Sequence, residues 1–400
     1  MPLPPGPVTV EISKGPEYRP LRETVRLAAG QMALRFTIHR FADLRAEGWF
    51  GGDIRAHDVT PHSALLEGAA EGLSVIQLLS RELPGSMRNV AAFSGTAPAL
   101  PSPECQVVVN TFNVHSALGR VALLHCHRPV YPLSSGPPGP DDWSVADWCD
   151  QCHRKKGLVV WSGAGANDGE ALAALILGKI DAFEVTAFAD EIARYYRLLA
   201  CGYRPTLVGA SGKDCNLVAL GKVRTYARLA DGAEFGTAPW IEAVRAGRTF
   251  ATSGPLLSLR VAGQEPGGVV SVEQGRAVAI RAEVRSSTPF GTLEIVAGGE
   301  VIAATTSGEL EVEVRPDRST WIAARCQGSA HTSPVWVEVP GHPMRPTQEA
   351  VGPLLARLDE ALGYVAGAGC PSEKHREHYA AVLRSARESL LARAQGGESC

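Results

Sequence analysis

Histidines and carboxylates gather where strands are predicted to end. In chain order these ends carry Asp53, Arg55 and His57, then Ser80–Glu82, Asn113 and His115, His125 and His127, Ser162, Glu184, and Ser211–Asp214. Imidazoles and carboxylates converging at strand ends can bind a divalent metal or move protons. His125 and His127 are two apart, so on a strand they share a face. A metal-binding reading draws on Asp53, His57, His115, His125, His127 and Asp214. An anion-binding reading draws on Arg55, Asn113, Ser211, Lys213 and Arg224, because a guanidinium or ammonium favours a carboxylate or phosphate. The first implies one divalent metal, zinc, manganese or iron. The second implies none.

Each residue also has a plainer reading. His57 lies beside Asp53 and Asp58 and can be a hydrogen-bonded loop histidine. His62 follows Pro61 before a helix and reads as a cap-region residue. His115 sits in a polar Asn-Thr-Phe-Asn-Val stretch, which reads as solvated loop. Arg224 reads as a strand residue with a salt-bridge partner. Cys149-Asp-Gln-Cys152-His153 matches the haem-attachment pattern, but it occurs once, on a continuous amphipathic helix with Trp143 and Trp148. No haem is expected, and the thiols read as buried. No P-loop, dinucleotide fingerprint or nucleophile elbow occurs.

The elements that must position these residues follow from periodicity. MALRFTIHRF (32–41) alternates as a strand does, and residues 8–12 read likewise. From Trp49 to Gly209 strands alternate with helices: Ser63–Glu71, Trp143–Lys156, Asp168–Leu177 and Glu191–Ala200 are helical, several closed by glycine. That alternation predicts an α/β class with a mostly parallel sheet or barrel and helices outside. After Ser253-Gly-Pro it stops. Residues 256–340 hold short strands between turns, the pattern of a β-sandwich-like domain. Residues 346–396 read as a C-terminal helical pair broken at Gly367-Ala-Gly-Cys-Pro.

Bulk properties narrow the partners. A chain of 400 residues suggests several domains. Its net charge of -3, without a basic block, gives no reason to expect nucleic acid or a membrane surface. No segment is apolar enough to span a bilayer, and Met1-Pro-Leu-Pro-Pro-Gly-Pro lacks the parts of a signal peptide. Nine scattered cysteines, an odd count, fit reduced thiols, so the expected setting is cytoplasmic and the expected partner a small or anionic molecule.

Several stretches together resemble one family. Gly48-Trp-Phe-Gly-Gly-Asp-Ile-Arg-Ala-His57 is similar to the opening G-W-x-x-G-D-x-H-x-H of the carbaryl-hydrolase-like (CehA/McbA) branch of the polymerase-and-histidinol-phosphatase (PHP) metallohydrolases. Leu66–Val75, Ala193–Gly202, Val208-Gly-Ala-Ser-Gly and Gly221-Lys-Val-Arg-Thr-Tyr continue the likeness. Trp240-Ile-Glu-Ala-Val-Arg-Ala-Gly-Arg-Thr-Phe-Ala-Thr-Ser-Gly-Pro255 is its most specific part. The resemblance spans residues 48–255. It implies a distorted PHP-type β/α barrel there, after an N-terminal β segment at 1–47, with divalent metals at strand ends activating water for ester or phosphoester hydrolysis.

The departures fall on the implied ligands. Arg55 stands where the family has the first histidine of H-x-H, Leu79-Ser-Arg81 where it has T-D-H, and Ser162-Gly-Ala-Gly where a histidine follows the Val-Val-Trp strand. The late Asp-containing segment reads Ser211-Gly-Lys-Asp214. A guanidinium stays protonated and cannot ligate. Two unit cations at about 4 Å repel by roughly 4 kcal/mol at an effective dielectric near 20, and a divalent ion suffers more. The resemblance therefore implies either a degenerate metal site turned to anion or ligand binding, or an active hydrolase with a rearranged histidine-rich site.

Overall fold

In a computed structural model, residues 3–136, 143–163, 168–367 and 373–396 are described. The tail of Ser162-Gly-Ala-Gly, part of the loop at 134–140 and the break after Gly367 lie outside them. The chain opens with an antiparallel pair, β1 (Gly6–Ile12) and β2 (Leu21–Leu27). MALRFTIHRF forms no strand apart from a single bridge of Arg40 with Tyr18. Alternation alone gave it no neighbour to complete a ladder, and its residues are largely exposed.

Next come β3 (Trp49–Ala56), α1 (Pro61–Ala70), β4 (Val75–Leu83), β5 (Ser86–Arg88), β6 (Gln106–His115), β7 (Gly119–Leu124) and β8 (Ser134–Ser135). They are followed by α2 (Val145–Arg154), β9 (Leu158–Trp161), α3 (Gly169–Ile176), β10 (Ala182–Val185), α4 (Asp190–Ala200), β11 (Thr206–Gly209), β12 (Arg224–Arg228), α5 (Thr237–Arg245) and β13 (Thr249–Thr252). Local chemistry sets the helix starts. Thr60 Oγ1 accepts from Ser63 N ahead of Pro61, and Ser144 and Asp147 form a reciprocal capping box on α2.

The C-terminal half holds β14 (Leu256–Val261), β15 (Val269–Ser271), β16 (Val278–Arg285), β17 (Leu293–Ala297), β18 (Glu300–Thr305), β19 (Glu309–Val314), β20 (Thr320–Cys326), β21 (Ala330–Thr332) and β22 (Val335–Glu338). Two helices close the chain, α6 (Gln348–Ala366) and α7 (Glu373–Ala394). No helix among the described residues is long and apolar enough to cross a membrane.

The expected α/β barrel is not what forms. The molecule is mostly β: 17 strands join one mixed sheet, and β14, β16 and β19 make a separate antiparallel one. The large sheet runs β11-β10-β9-β7-β6-β4-β3-β12-β13-β21-β20-β17-β18, crossing from the first half of the chain into the second through β13 and β21. Parallel pairing is confined to β3–β4–β6–β8, β9–β10–β11 and β15–β22 among the described residues. β7 and β12 lie antiparallel to both neighbours.

No backbone ladder closes the curled sheet into a barrel. The open edge of β11 meets hydroxyl groups instead. Thr225 Oγ1 accepts from Gly209 N at 2.7 Å and donates to Gly209 O at 2.9 Å. Thr249 Oγ1 donates to Leu207 O, and Ser333 Oγ accepts from Leu207 N. The edge is thus satisfied without a paired strand, as buried backbone requires.

The concave face of the sheet buries Ile54, Leu79, Phe112, Val160, Ala182 and Val208, with Trp240 and Ile241 of α5 among them. Helices α2, α3, α4, α6 and α7 cover another face, burying Trp148, Tyr195, Leu358 and Tyr379. The small sheet packs against β17, β20 and β22 through Leu259, Ile280, Ile295 and Val337.

Candidate functional site

β3 delivers Asp53, Arg55 and His57 to the carboxyl end of the parallel strands. Asp53 is wholly buried and acts as a strut. Its Oδ1 accepts from Arg55 N and Ser211 N, and its Oδ2 from Gly221 N at 2.8 Å. Burial raises its pKa, opposed by these hydrogen bonds.

Arg55 reaches across to β10. Its Nε lies 3.0 Å from both oxygens of Glu184, and its Nη2 lies 2.8 Å from Oε1. The Glu184 side chain is fully buried and also accepts from Gly163 N at 3.2 Å. The guanidinium sits over the Phe112 ring, 5.7 Å from its centroid. Burial works against the Arg55 charge, but Glu184, with Asp53 and Glu191 adding, outweighs it and raises the pKa. Gly212, at φ +64, lets the chain pass close: a Cβ there would stand 3.0 Å from Arg55 Nη2. Arg55 Nη1 makes no hydrogen bond among the described residues.

His57 is 1% exposed, with its ring 5.0 Å from that of Phe112. Nδ1 lies 3.3 Å from Leu79 O, which places the proton on Nδ1 and leaves Nε2 an acceptor. Nε2 is buried without a partner. Burial, with Arg55 and Arg81 adding, pushes the pKa down to about 3, so the imidazole is neutral. Arg81 in turn pairs with Asp58. Ser162 follows Val160 on the concave face. Val160 pairs with Ala182, so Ser162 and Glu184 continue the same two rows. Ser162 Oγ is also buried and unpartnered.

Apart from Ser211, which bonds Asp53, the other residues singled out in the sequence do not join this centre. Lys213 is 2% exposed, but its Nζ is spent on Cys215 O, Val218 O and Glu67 Oε1. Arg224, on β12, ties Gly221 O to Glu71 O. Ser211 Oγ accepts from Lys213 N, and Asn113 Nδ2 donates to Val130 O and Pro132 O. His115 is buried with its ring edge-on to Tyr379 of α7. Asp214 is exposed.

His125 and His127 lie at the opposite end of the sheet. β7 is antiparallel, so Leu124 pairs with Leu158 at the start of β9, and the chain leaves β7 where its neighbours begin. His125 is there subject to Glu242 and Arg245 of α5, its pKa lowered chiefly by burial. His127 is exposed, with Nδ1 near Lys155 O. Cys149 and Cys152 are buried on α2, and Cys152 Sγ touches Cys126 Sγ at 3.4 Å.

No family model matches the chain, and no curated protein matches it. Among solved structures it is similar to the fibronectin(III)-like modules of Clostridium thermocellum CbhA, at 21% identity over 21% of this chain and 97% of that one, with a TM-score of 0.17.

The divalent metals implied by the resemblance can be weighed against the donors present. Among the described residues, no three of His, Cys, Asp and Glu come together in a way that holds a metal ion. At the strand ends the Glu184 carboxylate is taken by a guanidinium and the Asp53 carboxylate by three backbone N–H groups. These residues do not fit such a centre, because a guanidinium occupies the position and both carboxylates are already engaged by protein donors. Sequence reasoning placed Glu184 and Ser162 at strand ends but missed their role. The available signal was Arg55 itself: a buried guanidinium demands a carboxylate from a neighbouring strand.

Proposed function

We propose that this chain is a non-hydrolytic relative of the CehA/McbA branch of PHP proteins, which binds a small anionic ligand at the Arg55 centre. One observation carries the reading. Glu184 occupies only one edge of the guanidinium, leaving Nη1 without a partner among the described residues, and Nε2 of His57, which feels the Arg55 charge, is buried and unpartnered as well. Unmatched polar atoms in a buried site cost free energy that a ligand can return. Arg55 supplies N–H donors for the ligand, and Glu184, which offsets the guanidinium charge, holds it in place. His57 is neutral, so it contributes an acceptor for a protonated ligand oxygen and no second charge. The setting we propose is cytoplasmic; all seven described cysteines are free, which supports it. A hydrolase built on His57, His115, His125 and His127 draws no support from the geometry, since β7 carries two of them to the far end of the sheet.

Two measurements test this. Metal analysis of protein purified without chelator should find no stoichiometric zinc, manganese or iron. Calorimetric titration with inorganic phosphate and acetate should show binding that Arg55→Met with Glu184→Gln abolishes. Stoichiometric metal, with ester hydrolysis that disappears in His57→Ala, would overturn the proposal.

A further inference from the structure

A cavity lies between α4 and strands β20 and β21, far in sequence from Arg55. Its volume is about 470 Å³, and Phe188, Ile192, Tyr196, Arg325 and His331 line it. That volume suits a small organic molecule.

Its polar wall is built in one direction. Arg325 and His331 are cross-strand partners on β20 and β21. His331 is 1% exposed, and its Nδ1 lies 2.6 Å from Thr332 O, so Nδ1 carries the proton. Its Nε2 therefore accepts the Tyr196 hydroxyl proton at 2.8 Å. Burial, the largest influence, holds His331 down to about 4, which keeps that acceptor neutral. The Tyr196 oxygen accepts in turn from Arg325 Nη1 at 3.1 Å. Arg325 Nε donates to Glu294 Oε2 at 2.6 Å. Its Nη2 has no partner among the described residues. The Tyr196 ring is fixed from behind by Trp321, 4.9 Å between centroids.

We propose that this cavity binds a small monocarboxylate with an apolar body, an aryl- or alkylcarboxylate. The carboxylate sits on the free N–H groups of Arg325, and the body lies against Phe188, Ile192 and the Tyr196 ring. The charge count favours this class over a phosphate. Glu294 already offsets Arg325, so the wall is close to neutral: a doubly charged phosphate would bring two uncompensated charges, whereas a monocarboxylate brings one, met by the remaining N–H donors of Arg325. The remaining lining is mainly apolar, which a phosphate or a sugar would leave unmatched. Tyr196 and His331 act as positioning residues that orient the guanidinium.

The test is calorimetric titration of the full chain with phenylacetate and hexanoate, against phenylacetamide and hexanol. Both acids should bind, and each neutral analogue should bind at least about ten-fold more weakly. Arg325→Met should abolish acid binding. Ala193→Trp, which fills the cavity from α4 and leaves Arg325 and Glu294 in place, should do the same and guards against misfolding of the first variant. Absence of acid binding at millimolar concentration, equal binding of acids and neutral analogues, or undiminished binding in folded Ala193→Trp would overturn the proposal. The last result would assign any acid binding to another site, Arg55 included.

Discussion

Arg55 Nη2 and Glu184 Oε1 stand 2.8 Å apart, joining β3 to β10 although 129 residues separate them in sequence. Glu184 is fully buried, so the pair is a charge-neutral unit inside the sheet. Such a unit adds little over an apolar pair, but losing half of it is costly. Arg55→Met alone should therefore destabilise by about 3–5 kcal/mol. Adding Glu184→Gln should recover a large part of that loss. Urea denaturation of both single variants and the double variant gives the coupling, and strictly additive losses would show that the pair does not act as a unit.

Two buried neutral histidines set an acid limit. His57 is held near about 3 and His331 near about 4, against 6.5 for the free side chain. Above pH 6.5 both are neutral whether folded or unfolded, and their contribution is fully present. As pH falls below 6.5, only the unfolded chain takes up protons. Stability is then lost at about 1.4 kcal/mol per pH unit for each histidine until the folded values are reached. Denaturation midpoints between pH 7 and 4.5 should show this slope, and His57→Gln should reduce it by one proton's worth. An unchanged slope would mean that His57 is not buried as described.

Glu170 works in the other direction. In the first turn of α3 it is wholly buried, Oε1 accepts from Ala146 N and Oε2 has no partner. Burial raises its pKa from 4.5 to about 7. Its contribution is fully present below 4.5 and is lost as pH rises through 7. Glu170→Gln should thus be more stable than the parent at pH 8 by about 3 kcal/mol, with the difference vanishing near pH 4.5. Thermal unfolding of the two proteins across that range checks the sign.

Gly157 lies in the turn between α2 and β9, where two thiols meet. A Cβ there would come within 2.5 Å of both Cys126 Sγ and Cys152 Sγ, and 2.8 Å of Leu124 O. Gly157→Ala should cost about 1–3 kcal/mol through overpacking. Adding Cys152→Ala removes one of the sulfurs and should relieve part of the cost, read by urea midpoint.

Much of the local structure was legible in the sequence because local rules made it. Ser144 and Asp147 start α2, Thr60 and Pro61 start α1, and glycines end helices where the reading placed them. Asp53, Arg55 and His57 were placed at a strand end, where β3 delivers them. The charge of Arg55, in a position the resemblance gives to an imidazole, was also plain.

The tertiary structure decided how the rows meet. Periodicity says which face a residue occupies and nothing of which way its strand runs beside another. β7 runs against β6 and β9, so His125 and His127 leave the centre that spacing had assigned them. β12 runs against β3 and β13, so the sheet never completes a parallel barrel, and Thr225 and Thr249 hydroxyls satisfy the edge of β11 in place of a ladder. Glu184 likewise became the partner of Arg55 only when β10 was brought across the concave face. Residue types and spacings are properties of neighbours along the chain; strand direction and cross-sheet pairing are set by burial and hydrogen bonding between segments that meet only when the chain folds, from β6 and β7 to Arg55 and Glu184.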